Sequence, residues 1–122
     1  MAHILLVEDS PAMLETLSLA MRSKGHLVVT ASDGEQAMER LGANHFDLVV
    51  TDIIMPAMDG LGLIDAMTAV VPNIKILAIS GGGTATFFDF LDAARKHGAM
   101  ATLTKPFPMS EFYNALDTCL QE

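Results

Sequence analysis

Three acids and one lysine stand where apolar runs of the chain end. Ile4–Val7 leads into Glu8 and Asp9, Leu48–Thr51 into Asp52, Ile76–Ile79 into Ser80, and Ala101–Thr104 into Lys105-Pro106. Brought to one place, three carboxylates against one ammonium leave an excess of negative charge. Two like charges about 4 Å apart repel by roughly 4 kcal/mol at an effective dielectric near 20, so such a cluster either takes up protons or recruits a cation. Hard carboxylate oxygens with a neighbouring main-chain carbonyl suit Mg²⁺, which keeps several waters and commonly works on phosphoryl groups. The chemistry this predicts is phosphoryl transfer, where positioning and charge neutralisation supply most of the catalysis, with Asp52 as the nucleophile.

The elements that must position these residues are legible as alternating patterns. The four apolar runs, together with Leu27–Thr30, have strand length and β-branched character. Most are apolar throughout, as parallel strands covered on both faces are. Between them, Ser10-Pro11 opens a helix carrying Leu14, Leu17 and Met21, with Gly25 as its stop. Ser32-Asp33-Gly34-Glu35 has capping-box spacing and opens a second, with Ala37, Met38 and Leu41. A third is expected from about Leu61 to Val70 before Pro72, and a fourth from Thr86-Phe87-Phe88-Asp89 to Gly98. A fifth starts near Ser110 and presents Phe112, Ala115, Leu116 and Cys119 on one stripe. Five strands alternating with five helices predict a doubly wound α/β fold with right-handed crossovers. In such folds the functional crevice lies beyond the carboxyl ends of the strands. Glu8, Asp9, Asp52, Ser80 and Lys105 all fall there, which scattered solvated charges would not do.

Composition bounds the rest. The chain has 122 residues, enough for one self-sufficient core and too few for a second domain of ordinary size. Hydrophobic residues at 51% against 18% charged exclude a disordered chain. A formal charge of −8 argues against nucleic acid or anionic lipid as a direct partner. Cys119 is the single cysteine, so nothing implies an oxidising compartment. The N-terminus is no signal peptide and no run has membrane-spanning length, which gives a soluble, cytoplasmic protein as the expectation. His3, His26, His45 and His97 lack ligand spacing and are read as surface or strand-entry residues, Cys119 and the methionines as core.

Four stretches together resemble the receiver domain of two-component response regulators over essentially the whole chain. They are Leu5-Leu6-Val7-Glu8-Asp9-Ser10, Asp52-Ile53-Ile54-Met55-Pro56-Ala57-Met58-Asp59-Gly60, Ala78-Ile79-Ser80-Gly81, and Gly98-Ala99 through Lys105-Pro106-Phe107. The resemblance implies a flavodoxin-like (βα)5 fold with strand order 2-1-3-4-5, occupying residues 1–122 as one receiver with no output domain. It implies that Asp52 accepts a phosphoryl group from a phosphohistidine on a histidine kinase or phosphotransfer protein. Asp9 and Asp52 with the Ile54 carbonyl would hold Mg²⁺, Glu8 acting largely through water. Lys105 would pair with one phosphoryl oxygen and the Ser80 hydroxyl with another. Lys105-Pro106 is expected to be cis. Such a protein catalyses only its own phosphorylation and dephosphorylation, is not a turnover enzyme, and signals to a separate downstream protein through the face formed by helix four, strand five and helix five.

The chain departs from the family pattern at three places. Position 102, usually aromatic, is Thr102, too small for an inward swing; Phe88, off the core stripe of helix four, is the candidate substitute on the output face. The residues two after Asp52 and two after Ser80 are Ile54 and Gly82, neither able to orient an attacking water, which predicts slow loss of the phosphoryl group. Gly81-Gly82-Gly83 reads either as a loop whose backbone rearranges with Ser80 or as a passive connection. Three rival readings compete. An aspartyl-phosphate phosphatase of the haloacid dehalogenase type needs a second Asp where Ile54 stands. A flavin-binding module could cradle phosphate at 80–86 but leaves Glu8, Asp9 and Lys105 unexplained. An inert receiver fold used only for docking would have no need of the acids.

Overall fold

A computed structural model describes residues 1–55, 58–81 and 93–121. Strands β1 (His3–Val7), β2 (Leu27–Ala31), β3 (Leu48–Asp52), β4 (Ile76–Gly81) and β5 (Ala101–Lys105) form one parallel sheet in the order β2-β1-β3-β4-β5. Helices α1 (Pro11–Ser23), α2 (Gly34–Ala43) and α3 (Gly60–Val70) and a C-terminal helix (Met109–Leu120) cover it. This is the doubly wound architecture that the alternating pattern predicts, with the flavodoxin-like strand order that the resemblance implies. Of the expected fourth helix, a turn at 93–96 is described. Phe87, Phe88, Phe90 and Leu91 lie outside the described residues, as do Gly82 and Gly83. A short antiparallel pair, Ile54–Met55 with Met58–Asp59, has no counterpart in the sequence pattern.

Alternation of side chains along the strands sorts the core into two layers. Ile4, Leu6, Leu48, Val50, Leu77, Ile79 and Leu103 meet Leu17 and Met21 of α1 and Phe112, Leu116 and Cys119 of the C-terminal helix. On the opposite face, Leu5, Val7, Val49, Ile76 and Ala78 meet Ala37 and Leu41 of α2 and Leu63, Ile64 and Met67 of α3. Ala94, in the turn at 93–96, belongs to this second layer. Because both faces are covered, the strands are apolar at successive positions, and polar residues gather where the covering helices stop.

Three strands run past their apolar stretches. The ladder continues through Asp52, paired with Ile79, and through Lys105, paired with Gly81, so Asp52, Ser80 and Lys105 belong to strands rather than to the loops after them. Backbone pairing does not depend on side-chain polarity, whereas the apolar pattern ends with the first charged residue. That extension matters, since a side chain inside a ladder has its direction set by the pleat.

The helix starts follow local chemistry. At α1, Ser10 Oγ accepts the Met13 N–H at 3.4 Å and Pro11 occupies the first helical position. At α2 the cap lies one residue later than Ser32-to-Glu35 spacing suggests. Asp33 Oδ1 accepts the Gln36 N–H at 2.8 Å, and Gln36 Oε1 accepts the Ser32 N–H at 3.0 Å. The carboxylate of Asp33, extended at φ −154°, reaches the free amide, and Gln36 returns the bond that Glu35 was expected to make. Gly25 and Gly98, at φ +88° and +120°, supply the left-handed stops foreseen for them. Replacing Asp33 with Ala should therefore lower the unfolding free energy by about 1 kcal/mol and Ser32→Ala by roughly a quarter of that or less, as urea denaturation would measure.

Candidate functional site

The register places the site. Val7 is level with Thr51 and Asp52 with Ile79, while Ile79 is level with Leu103. Glu8 therefore continues the row Ile4, Leu6, and Asp52 the row Leu48, Val50, both on the face covered by α1 and the C-terminal helix. Lys105 lies two residues beyond Leu103 on that same face. Two residues of strand rise about 6.5 Å, roughly the length of an extended lysine side chain. Lys105 spans that interval backwards: its Nζ donates to Asp52 Oδ2 and to Glu8 Oε1, each at 2.7 Å.

Both carboxylates of this pair are withdrawn from water, Glu8 being 2% and Asp52 5% exposed. The second Glu8 oxygen, Oε2, accepts the Ser10 N–H at 3.0 Å. Asp9, one residue on, is exposed. Glu8, Asp9 and Asp52 each offer an oxygen within 4.8 Å of the others. Three acids against Lys105 leave the cluster net negative, and its all-oxygen donor set with one solvent-open carboxylate suits a hard, partly hydrated divalent ion such as Mg²⁺. Ile54, whose carbonyl completes the expected set, starts the short antiparallel pair two residues after Asp52. The Lys105-Pro106 peptide is cis, as the resemblance implied.

Ser80 and Thr102 sit on the opposite face. Ser80, fully buried, stands one residue beyond Ile79 and level with Thr104, and Thr102 is level with Ala78. Pairwise register thus brings Ser80 to the height of the acids from the side covered by α2 and α3. Thr102 is half-buried, and its Oγ1 accepts a bond from the Arg95 guanidinium at 3.3 Å. Phe88 lies outside the described residues. Two participants escaped the sequence reading. Ser10, read only as a helix cap, also holds Glu8 through its amide; the signal was its position two residues after that acid. Arg95 meets Thr102 across a turn, and no local pattern announces that contact. The histidines behave as expected, His97 pairing with Asp65 at 2.7 Å near the surface.

Burial pushes the Glu8 carboxyl up from its ordinary value of 4.5, with Asp9 and Asp52 adding to the rise and the bonds from Lys105 and Ser10 opposing it. For Lys105, burial acts downwards, but the hydrogen bonds and negative charge of Asp52 and Glu8 outweigh it and raise the ammonium above its ordinary 10.5. The ammonium is therefore charged throughout the physiological range.

The family model for the response regulator receiver domain matches residues 4–117. The chain is 35% identical over 121 residues to the transcriptional regulatory protein GlrR of Escherichia coli (strain K12), covering 99% of this chain and 27% of that protein. It is 35% identical over 120 residues to the response regulator receiver protein CpdR of Brucella abortus (strain 2308), covering 98% of each. The chain thus spans about a quarter of the length of the first relative and nearly all of the second. Among solved structures, the chemotaxis protein CheY4 of Vibrio cholerae superposes with a TM-score of 0.89 at 27% identity, covering 98% of this chain and 99% of that one. Among the described residues, no helix is long and apolar enough to cross a membrane.

A carboxyl whose pKa is higher folded than unfolded binds protons preferentially in the folded state, so its contribution to stability is present below the unfolded value and fades as pH rises through the folded one. With divalent ions chelated, Glu8 should impose such a downward slope starting near its ordinary value of 4.5. Urea unfolding across that window is expected to show the slope in the native protein and to show it flattened in Glu8→Gln.

Proposed function

The chain belongs to the response regulator receiver domain family, and from that premise we propose that it is a phosphoacceptor switch with Asp52 as the acceptor. The observation that carries this reading is the Lys105 ammonium 2.7 Å from the buried Asp52 carboxylate, with Asp9 beside it. An oxygen of Asp52 attacks the phosphorus of a phosphohistidine on a sensor kinase or phosphotransfer protein. The P–N bond breaks, its electron pair returns to the imidazole, and an acyl phosphate remains on Asp52. Lys105, already seated between the carboxylates, exchanges Asp52 Oδ2 for a transferred phosphoryl oxygen. It needs no long excursion to do so.

Asp9, Asp52 and the Ile54 carbonyl are the groups to hold Mg²⁺, whose contribution when bound is to neutralise the charge of acids and phosphoryl oxygens together. Ser80 donates its hydroxyl to a further phosphoryl oxygen and in doing so moves the end of β4. Because Thr104 and Thr102 lie on the neighbouring strand along the same face, that movement reaches the surface at which a downstream protein would dock. Thr102 is too small for an aromatic swing, and its Arg95 contact offers a polar alternative. The chain modifies only its own aspartate and acts through protein partners in the cytoplasm, with no direct contact to nucleic acid or membrane.

The competing chemistries fare worse. A haloacid-dehalogenase-type phosphatase needs an acid at position 54, where Ile54 stands. The acidic cluster would repel a flavin phosphate. A docking-only receiver leaves the two short bonds from Lys105 to buried acids without purpose.

Incubation with acetyl phosphate and Mg²⁺ should add one phosphoryl group to the intact mass. The gain should disappear in Asp52→Asn and with chelator, and persistence in Asp52→Asn would overturn the assignment. Ile54→Asn, which introduces a side chain able to orient water, should speed loss of the group by roughly three- to tenfold. Decay no faster than in the parent protein would exclude that explanation of a long lifetime.

A further inference from the structure

The parallel sheet ends on one side at β2, which pairs with β1 and leaves its other edge open. Backbone groups alternate in direction along a strand, so the bonds already made decide which residues point outward. The Leu27 N–H donates to the Ala2 carbonyl at 2.9 Å, and the Ala31 carbonyl accepts the Glu8 N–H at 3.0 Å, so Leu27, Val29 and Ala31 face β1. Val28, Thr30 and Ser32 therefore turn their N–H and carbonyl groups outward. Two of these outward groups are taken by side chains. Arg22, in the last turn of α1, donates from Nη2 to the Val28 carbonyl at 3.1 Å, and Gln36 of α2 accepts the Ser32 N–H at 3.0 Å. Between them, the Val28 N–H and both backbone groups of Thr30 have no hydrogen-bond partner among the described residues. The strand itself lacks the usual protections of an edge. Leu27–Ala31 carries no charge and no proline, its register with β1 is uninterrupted, and Leu27 is 55% exposed. An uncharged segment rich in β-branched residues is a template for an identical strand. A second copy fits antiparallel about a two-fold axis at Val29, where Val28 of one copy and Thr30 of the other exchange both backbone bonds. That exchange needs the Val28 carbonyl, the group that Arg22 occupies.

We propose that the open edge of β2 is a latent pairing surface for a second copy of this chain, and that Arg22 keeps it closed by occupying the Val28 carbonyl. Gln36 limits the far end in the same way, since the next bond along would use the Ser32 N–H. A guanidinium is suited to this task, because a charged donor bonds a carbonyl more strongly than the neutral amide of an incoming strand does. The proposal is independent of the phosphoacceptor reading: β2 lies at the opposite edge of the sheet from β5, which carries Lys105.

The test is sedimentation equilibrium of the full chain at about 0.15 M salt, where long-range repulsion is screened. Arg22→Ala should lower the dissociation constant for self-association by roughly ten- to a hundredfold relative to the parent protein, because a carbonyl is released in each copy. Arg22→Lys, which keeps a charged donor, should fall nearer the parent than Arg22→Ala does. Net charge works in the opposite direction: the chain carries a formal −8, so losing an arginine increases repulsion between copies. Amide hydrogen exchange then locates the contact. The Val28 and Thr30 amides should gain protection in associated Arg22→Ala, while those of Leu27 and Val29, which already face β1, should not change. Adding Thr30→Pro to Arg22→Ala removes an outward N–H and no ladder bond, and should restore the parent's behaviour. The proposal is overturned by unchanged association in Arg22→Ala, by association that leaves the Thr30 amide unprotected, or by a parent protein that already pairs through Thr30. Should Arg22→Ala unfold, Arg22→Met keeps an apolar stem, lacks the donor and gives the same decision.

Discussion

One ammonium holds the working end of this protein together. Lys105 stands between two carboxylates that are almost wholly withdrawn from water, 2.7 Å from each. A buried carboxylate without a partner is costly enough to be driven to its neutral form. With Lys105 in place, Glu8 and Asp52 can approach one another at the end of a sheet whose other positions are apolar. The raised basicity of the ammonium and the upward push on Glu8 are two sides of that arrangement: burial penalises every charge present, and the mutual bonds recover part of the penalty. A pair of this kind adds little net stability. Its significance is that it keeps charge where charge is useful.

The two-layer core sets the conditions for that end. Covered on both faces, the strands accept polar side chains where the helices stop, and Thr51, fully buried within β3, meets its obligation by donating its hydroxyl to the Asp52 carbonyl at 3.0 Å. Phe112 and Leu116 close one layer against Leu103 and Ile79, directly beneath the acids. Ala78 with Leu63, Ile64 and Met67 closes the other beneath Ser80. Neighbouring residues along a strand therefore report to different helices. Asp52 and Lys105 face α1 and the C-terminal helix, while Ser80 and Thr102 face α2, α3 and the turn at 93–96. The two sets of polar side chains are separated by the thickness of a single strand.

Membership of the receiver family gives the arrangement its context, and the departures give it character. Thr102 accepts a bond from the guanidinium of Arg95. The residues two after Asp52 and two after Ser80 in the sequence are Ile54 and Gly82, neither with a polar side chain.

Much of this was legible in the chain alone. Apolar runs of strand length, helix starts such as Ser10-Pro11, and the glycine stops at Gly25 and Gly98 are determined by interactions among residues a few positions apart, and they place the acids, Ser80 and Lys105 at the carboxyl ends of strands. Hydrophobic pattern also identified Phe112, Leu116 and Cys119 as core. The α2 cap came out one residue early because two adjacent polar residues could both cap, and only the backbone angle at Asp33 selects between them. Which acids Lys105 would bind, that the Ser10 amide would hold Glu8, and that Ser80 and Thr102 would share the face opposite Asp52 were decided by tertiary structure. Those facts depend on the register between strands as distant as β1 and β5, and a one-residue slip in register would send each of these side chains to the other face of the sheet.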